Sequence, residues 1–352
     1  MTAIIKYIKK ITLSQNNDSE IKSALLLYAV LAVAPWCIED WQRGEFARYF
    51  SYMLLAASVA WVWGHCGILC FCQALFFGMG AYAMGAVELG KLPFLPQINS
   101  MWMGLLLSIL LATLTSYAIG RLFFSVKAME GPQIALTTLA IGMIAENALT
   151  SWRFLGGENG LLGVPSLRFG LTGGPETNDA LAAYLVGFGL FSTLSGLLIW
   201  IVRSRWGKTL RAIRNNGIRA EALGINVVHQ QSKAFALGAV VAATAGAFFV
   251  TQFGFASPSL VGPALSTEAI IWVALGGKNL IVSACGGALL VRLAESWLTG
   301  YFEGFFPLVL GTAFLLVVVR LPRGVIGELL MARRNSRHTR SSNEMVVQKI
   351  TE

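Results

Sequence analysis

Charge is scarce in this chain. Only 13% of its 352 residues are Asp, Glu, Lys or Arg, against about 25% in an ordinary soluble domain. So few charges cannot solvate a globular surface of this size. That excludes a soluble enzyme, a secreted disulfide scaffold and a disordered protein. Histidine is nearly absent: His65, His229 and His338 are the only three. The last two fall in polar segments, which argues against a histidine-based intramembrane catalytic site; no catalytic residue is expected. No G-x-x-x-x-G-K-[ST] sequence occurs, so any ATP hydrolysis must come from a partner. The five cysteines (Cys37, Cys66, Cys70, Cys72 and Cys285) are odd in number and lie in apolar segments, a poor disulfide framework. Cys70-x-Cys72 with Cys66 nearby is too small a ligand set for a metal. Packed, inert thiols are expected, with no metal and no cofactor. The N-terminal stretch also lacks a signal-peptide core followed by a small-residue cleavage site.

What is abundant is apolar sequence. Hydrophobic residues make up 55% of the chain, and the mean hydropathy is +0.64. A membrane-crossing helix needs about 20 mostly apolar residues. Runs of that character fall at 23–38, 46–63, 66–87, 101–120, 132–150, 180–202, 234–253, 265–277, 280–299 and 304–320. The expected fold is an all-α polytopic membrane protein with about ten membrane helices. The 265–277 run is short and ends at Gly276-Gly277-Lys278-Asn279, so it reads as a short or broken helix, tolerated where it is buried in protein or lines a cavity. No fixed repeat is present. Residues 1–22 read as an N-terminal segment, 23–330 as the transmembrane domain and 331–352 as a basic tail.

The formal net charge is +9, and its placement orients the chain. With ten crossings and a cytoplasmic N-terminus, most Lys and Arg fall on the cytoplasmic side, in the N-terminal segment, the 203–233 loop and the tail. Arg43, Arg48, Lys91, Arg153 and Arg168 fall outside. This asymmetry places both termini in the cytoplasm and removes the case for nucleic acid. The long outer loop, 151–179, is rich in Gly, Pro and polar turn residues. The inner loop carries Leu210, Ile213, Ile218, Ala222 and Leu223 among arginines. That is a short amphipathic helix, interrupted at Asn216-Gly217 and ending at Gly224 as a C-cap. The pattern alone allows a helix lying at the lipid headgroups or one docking a soluble partner.

Six segments resemble a known family. W-G-K-T-L-R-A-I-R-N-N at 206–216, with A-E-A-L-G-I-N at 220–226, is similar to the cytoplasmic loop of permeases from branched-chain amino acid and urea ABC importers. A-L-F-F-G-M-G-A-Y-A-M-G at 74–85, E-G-P-Q-I-A-L-T-T-L-A at 130–140 and G-G-E-N-G-L-L-G-V-P at 156–165 resemble that family in the same order. So do S-T-E-A-I-I-W-V-A-L-G-G at 266–277 and L-P-R-G-V-I-G at 321–327. The resemblance implies a bacterial inner-membrane subunit working with a second related permease, two cytoplasmic ATPase subunits and an external solute-binding protein. It makes the inner loop a coupling helix, with Arg211, Arg214, Glu221, Ala222 and Gly224 at the ATPase contact. The importer pattern Glu-Ala-Ala followed by Gly is only partly present. Members often carry Gly-Gln and then Ser-Leu-Gly-His before the Gly-rich helix. Here Gly67-Ile68 and Cys70-Phe71-Cys72-Gln73 stand instead. W-G-H-C-G-I-L-C at 63–70, Trp272 and A-E-S-W-L-T at 294–299 look closer to the urea branch, whereas the outer loop looks closer to the amino acid branch. The expected solute is therefore urea or a short amide, with a branched-chain amino acid as the alternative.

Polar residues inside membrane helices are costly and usually face protein or water. Gln73, Phe77, Tyr82, Thr137, Thr138, Glu146, Asn147 and Glu268 are the candidate path residues. Thr137 and Thr138 also suit back-bonding to helix carbonyls. Arg292 and Glu295, three apart on one helix, are expected to pair. Gly78, Gly80 and Gly85 are expected to let helices approach closely. A competing class, the ion-coupled secondary transporter, also uses broken helices at mid-membrane.

Overall fold

The computed structural model describes residues 23–91, 100–125, 131–167 and 179–299, with residues 308, 311 and 312. Helices dominate. In chain order they are α1 (Ser23–Trp36), α2 (Asp40–Val59), α3 (Gln73–Glu88), α4 (Met101–Ser125), α5 (Gly131–Ser151), α6 (Ala180–Arg203), α7 (Arg205–Asn215), α8 (Gly217–Ala222), α9 (Val227–Phe253), α10 (Pro263–Gly276) and α11 (Ile281–Thr299). Two-residue strands β1 (Leu161–Leu162) and β2 (Phe255–Ala256) pair antiparallel.

Local sequence sets the helix ends. Gln42 accepts the Glu39 N–H at the start of α2. Asp179, Ser204, Asn216 and Asn226 each accept a first-turn N–H, starting α6, α7, α8 and α9. These side chains supply acceptors for donors that a helix leaves unpaired at its N-terminus. Gly254 takes a left-handed φ of 72° and closes α9.

α9 is the central post. In its most apolar stretch 89% of residues are buried, and α3 and α4 lie along it. Glycines permit this closeness. A side chain at Gly80 would overlap the Ala243 carbonyl, and one at Gly246 would overlap the Phe77 carbonyl. The expected close helix approach is seen at Gly80; Gly78 is closed in by Val261 before α10, and Gly85 faces the Leu161 and Val164 side chains of the outer loop less tightly. Phe76, Phe77, Phe235 and Phe249 fill the space around these contacts with edge-on ring pairs. α5 is the opposite case, with only 11% of its apolar stretch buried.

Among the described residues four helices, α4, α5, α6 and α9, are long and apolar enough to cross a membrane. α10 and α11 meet at 114° across a short break and count together as a broken span or re-entrant pair. Exposed Trp36, Trp41, Trp102, Trp200 and Trp297 sit at helix ends, where amphipathic rings suit the membrane–water boundary. Nine of the ten expected runs overlap helices, and the tenth, 304–320, lies almost wholly outside the described residues.

Three boundaries differ from the sequence expectation. The 66–87 run is not one helix: α2 runs on through a π turn, Ala60–His65, the chain unwinds over 67–72, and α3 begins only at Gln73. Gly67, at φ 78°, turns the chain, and the Ile68 N–H closes back on the Val62 carbonyl at 3.1 Å. Apolar composition hid this break because every residue of it is compatible with a buried helix. α2 also starts at Asp40, so Arg43 and Arg48 lie within its first turns, paired with Asp40 and Glu45. The last seven residues of the 203–233 loop belong to α9.

The Gly246–Phe77 contact gives a direct test. Gly246→Ala is expected to cost about 1–3 kcal/mol through overpacking. Gly189→Ala on α6, where an added Cβ would meet nothing within 4 Å, is expected to change stability by less than about 0.5 kcal/mol. Thermal unfolding in detergent checks both, and equal shifts would contradict the packing.

Candidate functional site

The unwound segment before α3 leaves backbone donors inside the protein. Thr138 of α5 accepts the Phe71 N–H at 3.0 Å, and its hydroxyl donates to the Ala135 carbonyl. Ser266 of α10 accepts the Ala74 N–H at 3.1 Å. One side chain from each of two helices thus holds the start of a third. Gln73 is 1% exposed, and neither end of its amide has a hydrogen-bond partner among the described residues. It lies against Gly238 of α9. The Tyr82 hydroxyl is likewise buried without a partner there. Phe77 is fully buried and packs on Phe249. Cys70 and Cys72 have sulfurs 2.8 Å apart and buried. Among the described residues no three His, Cys, Asp or Glu groups gather as metal ligands.

A second polar group sits on α10 and α11. Arg292 donates to Glu268 at 3.1 Å and pairs with Glu295 on its own helix. Its guanidinium lies 3.9 Å from the Tyr52 ring centroid and 4.7 Å from that of Trp272. A guanidinium suits this environment, because it is weakly hydrated and stacks on aromatic faces. The expected Arg292–Glu295 pair is present, and the structure adds Glu268 to it. Tyr52 in this cluster, like Ser266 at the start of α3, could not be found from spacing alone, because its partners come from distant segments.

Glu146 meets neither group. Its carboxylate lies against Gly262, the residue that precedes α10, where the helix dipole favours a negative charge. Thr137 back-bonds to the Gln133 carbonyl at 2.8 Å. Asn147 is exposed on α5. Of the eight candidate path residues, Thr138 holds the break before α3 through the Phe71 N–H, Gln73 begins α3 with its amide against Gly238, and Glu268 joins the Arg292 cluster.

The inner loop forms two short helices broken at Asn216-Gly217, with Gly224 at φ 83° just beyond the second. Its apolar residues divide. Leu210 and Ile213 are buried, whereas Ile218 and Leu223 are 84% and 77% exposed. Arg211 donates to the Val202 carbonyl at 3.0 Å. Arg214 donates to the Gly64 carbonyl at the end of the π turn, and its stem covers Gly67. Both guanidinium groups therefore hold the loop to its own chain. Glu221, Ala222 and Gly224 are exposed. Glu221 and Gly224 line an open pocket of about 460 Å³ with Arg121, Ser125 and Asn226.

Long apolar helices and a bent helix pair, stitched by side chains, are those of a polytopic helical membrane protein. Residues 45–321 match the family of branched-chain amino acid transport system permease components, and the chain belongs to that family. It is 26% identical over 287 residues to the high-affinity branched-chain amino acid transport system permease protein BraD of Pseudomonas aeruginosa, covering 79% of this chain and 92% of that one. The corresponding LivH protein of Escherichia coli strain K12 is 26% identical, covering 79% and 91%. The autoinducer 2 import system permease protein LsrC of Escherichia coli O9:H4 is 28% identical over 185 residues, 47% of this chain and 53% of that one. No solved structure matches.

Arg292→Ala would leave two carboxylates side by side. It is expected to destabilise the protein by about 3 kcal/mol, the low end for a broken buried pair because Glu268 is partly exposed. Arg292→Met combined with Glu268→Gln and Glu295→Gln is expected to cost less. Unfolding midpoints in detergent compare the two, and a larger loss in the triple variant would contradict the pairing.

Proposed function

We propose that this chain is a permease subunit of an ATP-driven importer in a bacterial inner membrane, with both termini cytoplasmic. The observation that carries the reading is the α7–α8 pair: α7 is fastened to its own chain, while α8 presents Ile218 and Leu223 bare. Membership of the permease family supports it. A second permease, two ATPase subunits and an external solute-binding protein complete the assembly.

The chain itself makes no covalent bond in this mechanism. ATPase closure pushes on α8. Arg214 passes the displacement to Gly64 at the end of α2's π turn. Gly64 in turn lies against the Lys278 carbonyl, in the turn between α10 and α11. Motion at the motor thereby reaches the broken pair that carries Ser266 and Glu268. The ATPase contact falls to Ile218, Leu223, Glu221, Ala222 and Gly224. Arg211 and Arg214 keep the element in place.

Urea or a short amide remains the proposed solute. Gln73 and Tyr82 carry uncharged hydrogen-bonding groups without partners among the described residues, which suit a neutral solute that needs only donors and acceptors. A branched-chain amino acid is the second reading, favoured by the names of the two relatives matched over most of their length. It would require both ends of a zwitterion to be matched or kept hydrated.

Two experiments test these points. Replacing Ile218 and Leu223 together by Glu is expected to abolish co-purification of the ATPase subunits while the permease remains in the membrane. Retained association would overturn the coupling assignment. Proteoliposomes holding the full importer are expected to take up labelled urea with ATP. Leucine uptake without urea uptake would reverse the solute. Gradient-driven uptake without the ATPase would replace the importer with an ion-coupled carrier.

A further inference from the structure

Buried polar side chains in a folded protein are almost always hydrogen-bonded. The Gln73 carboxamide is not. It is 1% exposed, and both its oxygen and its nitrogen lack a partner among the described residues. Leaving such a group unpaired costs more than an ordinary hydrogen bond gains. Its place is the first residue of α3, directly after the break. The backbone amides on either side are accepted, Phe71 by Thr138 and Ala74 by Ser266. α3 itself starts without a side-chain cap, so its first turn adds backbone donors to the same end.

The surroundings of this amide offer it nothing. It meets Gly238 of α9, where the Val62 side chain and the edge of Trp61 also converge. Gly238 has no side chain and Val62 is apolar. The Trp61 N–H is already given to the Ala234 carbonyl at 2.8 Å. By helical rise Gly238 stands about 17 Å from the inner end of α9 and about 23 Å from its outer end, so the amide lies deep within the membrane-spanning part. Trp61 and Val62 belong to the π turn, whose Gly64 carbonyl Arg214 holds. The Arg214 stem also covers Gly67 across the break. The wall facing the amide is therefore the one that the inner loop grips. The unpartnered Tyr82 hydroxyl is nine residues further along α3, about 14 Å by helical rise, too far to touch the same small solute.

We propose that the break between α2 and α3 is the solute-recognition point, and that Gln73 reads the carboxamide of the solute. A primary carboxamide carries an accepting oxygen and a donating NH₂ in one plane. Urea or a short amide presents the same groups in the opposite order. Gln73 Nε2 donates to the solute oxygen, and a solute N–H donates to Gln73 Oε1. Both orphaned atoms are then paired. A carboxylate only accepts and an ammonium only donates, so either end of an amino acid leaves one atom of the Gln73 amide unpaired. Sites with buried polar groups reject solutes that leave those groups unpaired. In this structure the amide is enclosed, and displacement of the π turn through Arg214 uncovers it. The proposal rests on the importer reading with its urea or short-amide solute, and deepens both by naming the residue and the bonds that select the solute.

The test measures ATP-driven uptake of labelled urea and of labelled leucine by the complete importer in proteoliposomes, with unfolding midpoints of the same variants in detergent. Gln73→Met keeps the length of the side chain and removes both polar atoms. It is expected to raise the unfolding midpoint, because an unpaired buried amide is gone. It is also expected to raise the KM for urea by about tenfold or more, with kcat less affected. Gln73→Asn keeps the carboxamide, withdraws it by one methylene and is expected to raise KM less. A parental urea KM in Gln73→Met would overturn the proposal. So would a lowered midpoint together with lost uptake, which would make Gln73 a packing residue. If Gln73→Met does not accumulate, Gln73→Asn decides: a raised KM supports the proposal and a parental one overturns it. ATP-driven uptake of leucine but not urea would overturn the proposal and leave the importer reading standing. Uptake that needs no ATPase would remove the importer reading itself.

Discussion

A helix broken within a membrane frees backbone groups that lipid cannot satisfy, and each must find a partner in the protein. Much of the polar chemistry described here answers that requirement. Thr138 and Ser266 receive the amides at the start of α3. Ser283 donates to the Gly276 carbonyl at the end of α10. Glu146 stands at the start of α10, and Arg214 meets the Gly64 carbonyl of the π turn that follows α2. The breaks and the side chains that hold them form one system. For this reason the same few residues link the basic helix pair, the end of α2 and the turn between α10 and α11.

The packing around α9 supplies the rigid half of the molecule. Glycine-mediated contacts with α3 let carbonyls and Cα atoms touch, and aromatic rings fill the remaining space. A junction with no slack moves as a block. The α5–α10–α11 side differs, with a scarcely buried helix, a bent pair and a charged cluster half open to its surroundings. A close-packed post thus stands beside a loosely covered edge.

Several elements were legible in the sequence because they depend on neighbours along the chain. The interrupted inner-loop helix followed from apolar spacing around Asn216-Gly217, and its end followed from Gly224. The Arg292–Glu295 pair followed from the i, i+3 relation. The break at Gly277 followed from its glycines. The break at 67–72 did not, because Ile68, Leu69, Cys70, Phe71 and Cys72 are as apolar as any buried helix. Spacing also could not divide the amphipathic loop. Leu210 and Ile213 pack inward while Ile218 and Leu223 stand exposed, and all four are apolar residues set among the same arginines. The arginines of that loop read as partner contacts, yet Arg211 and Arg214 reach carbonyls of their own chain.

The sequence by itself determined the helical membrane class, the placement of charge and the family, since composition, hydropathy and ordered motifs are properties of the chain. Tertiary structure alone decided where the polar residues went. Thr138 and Ser266 both reach backbone N–H groups at the start of α3 because α5 and α10 converge on that break. Glu268 joins Arg292 because a bent pair of helices folds α10 back beside α11. Such meetings depend on side chains far apart in sequence finding one another's unsatisfied groups, and no local pattern encodes that distance.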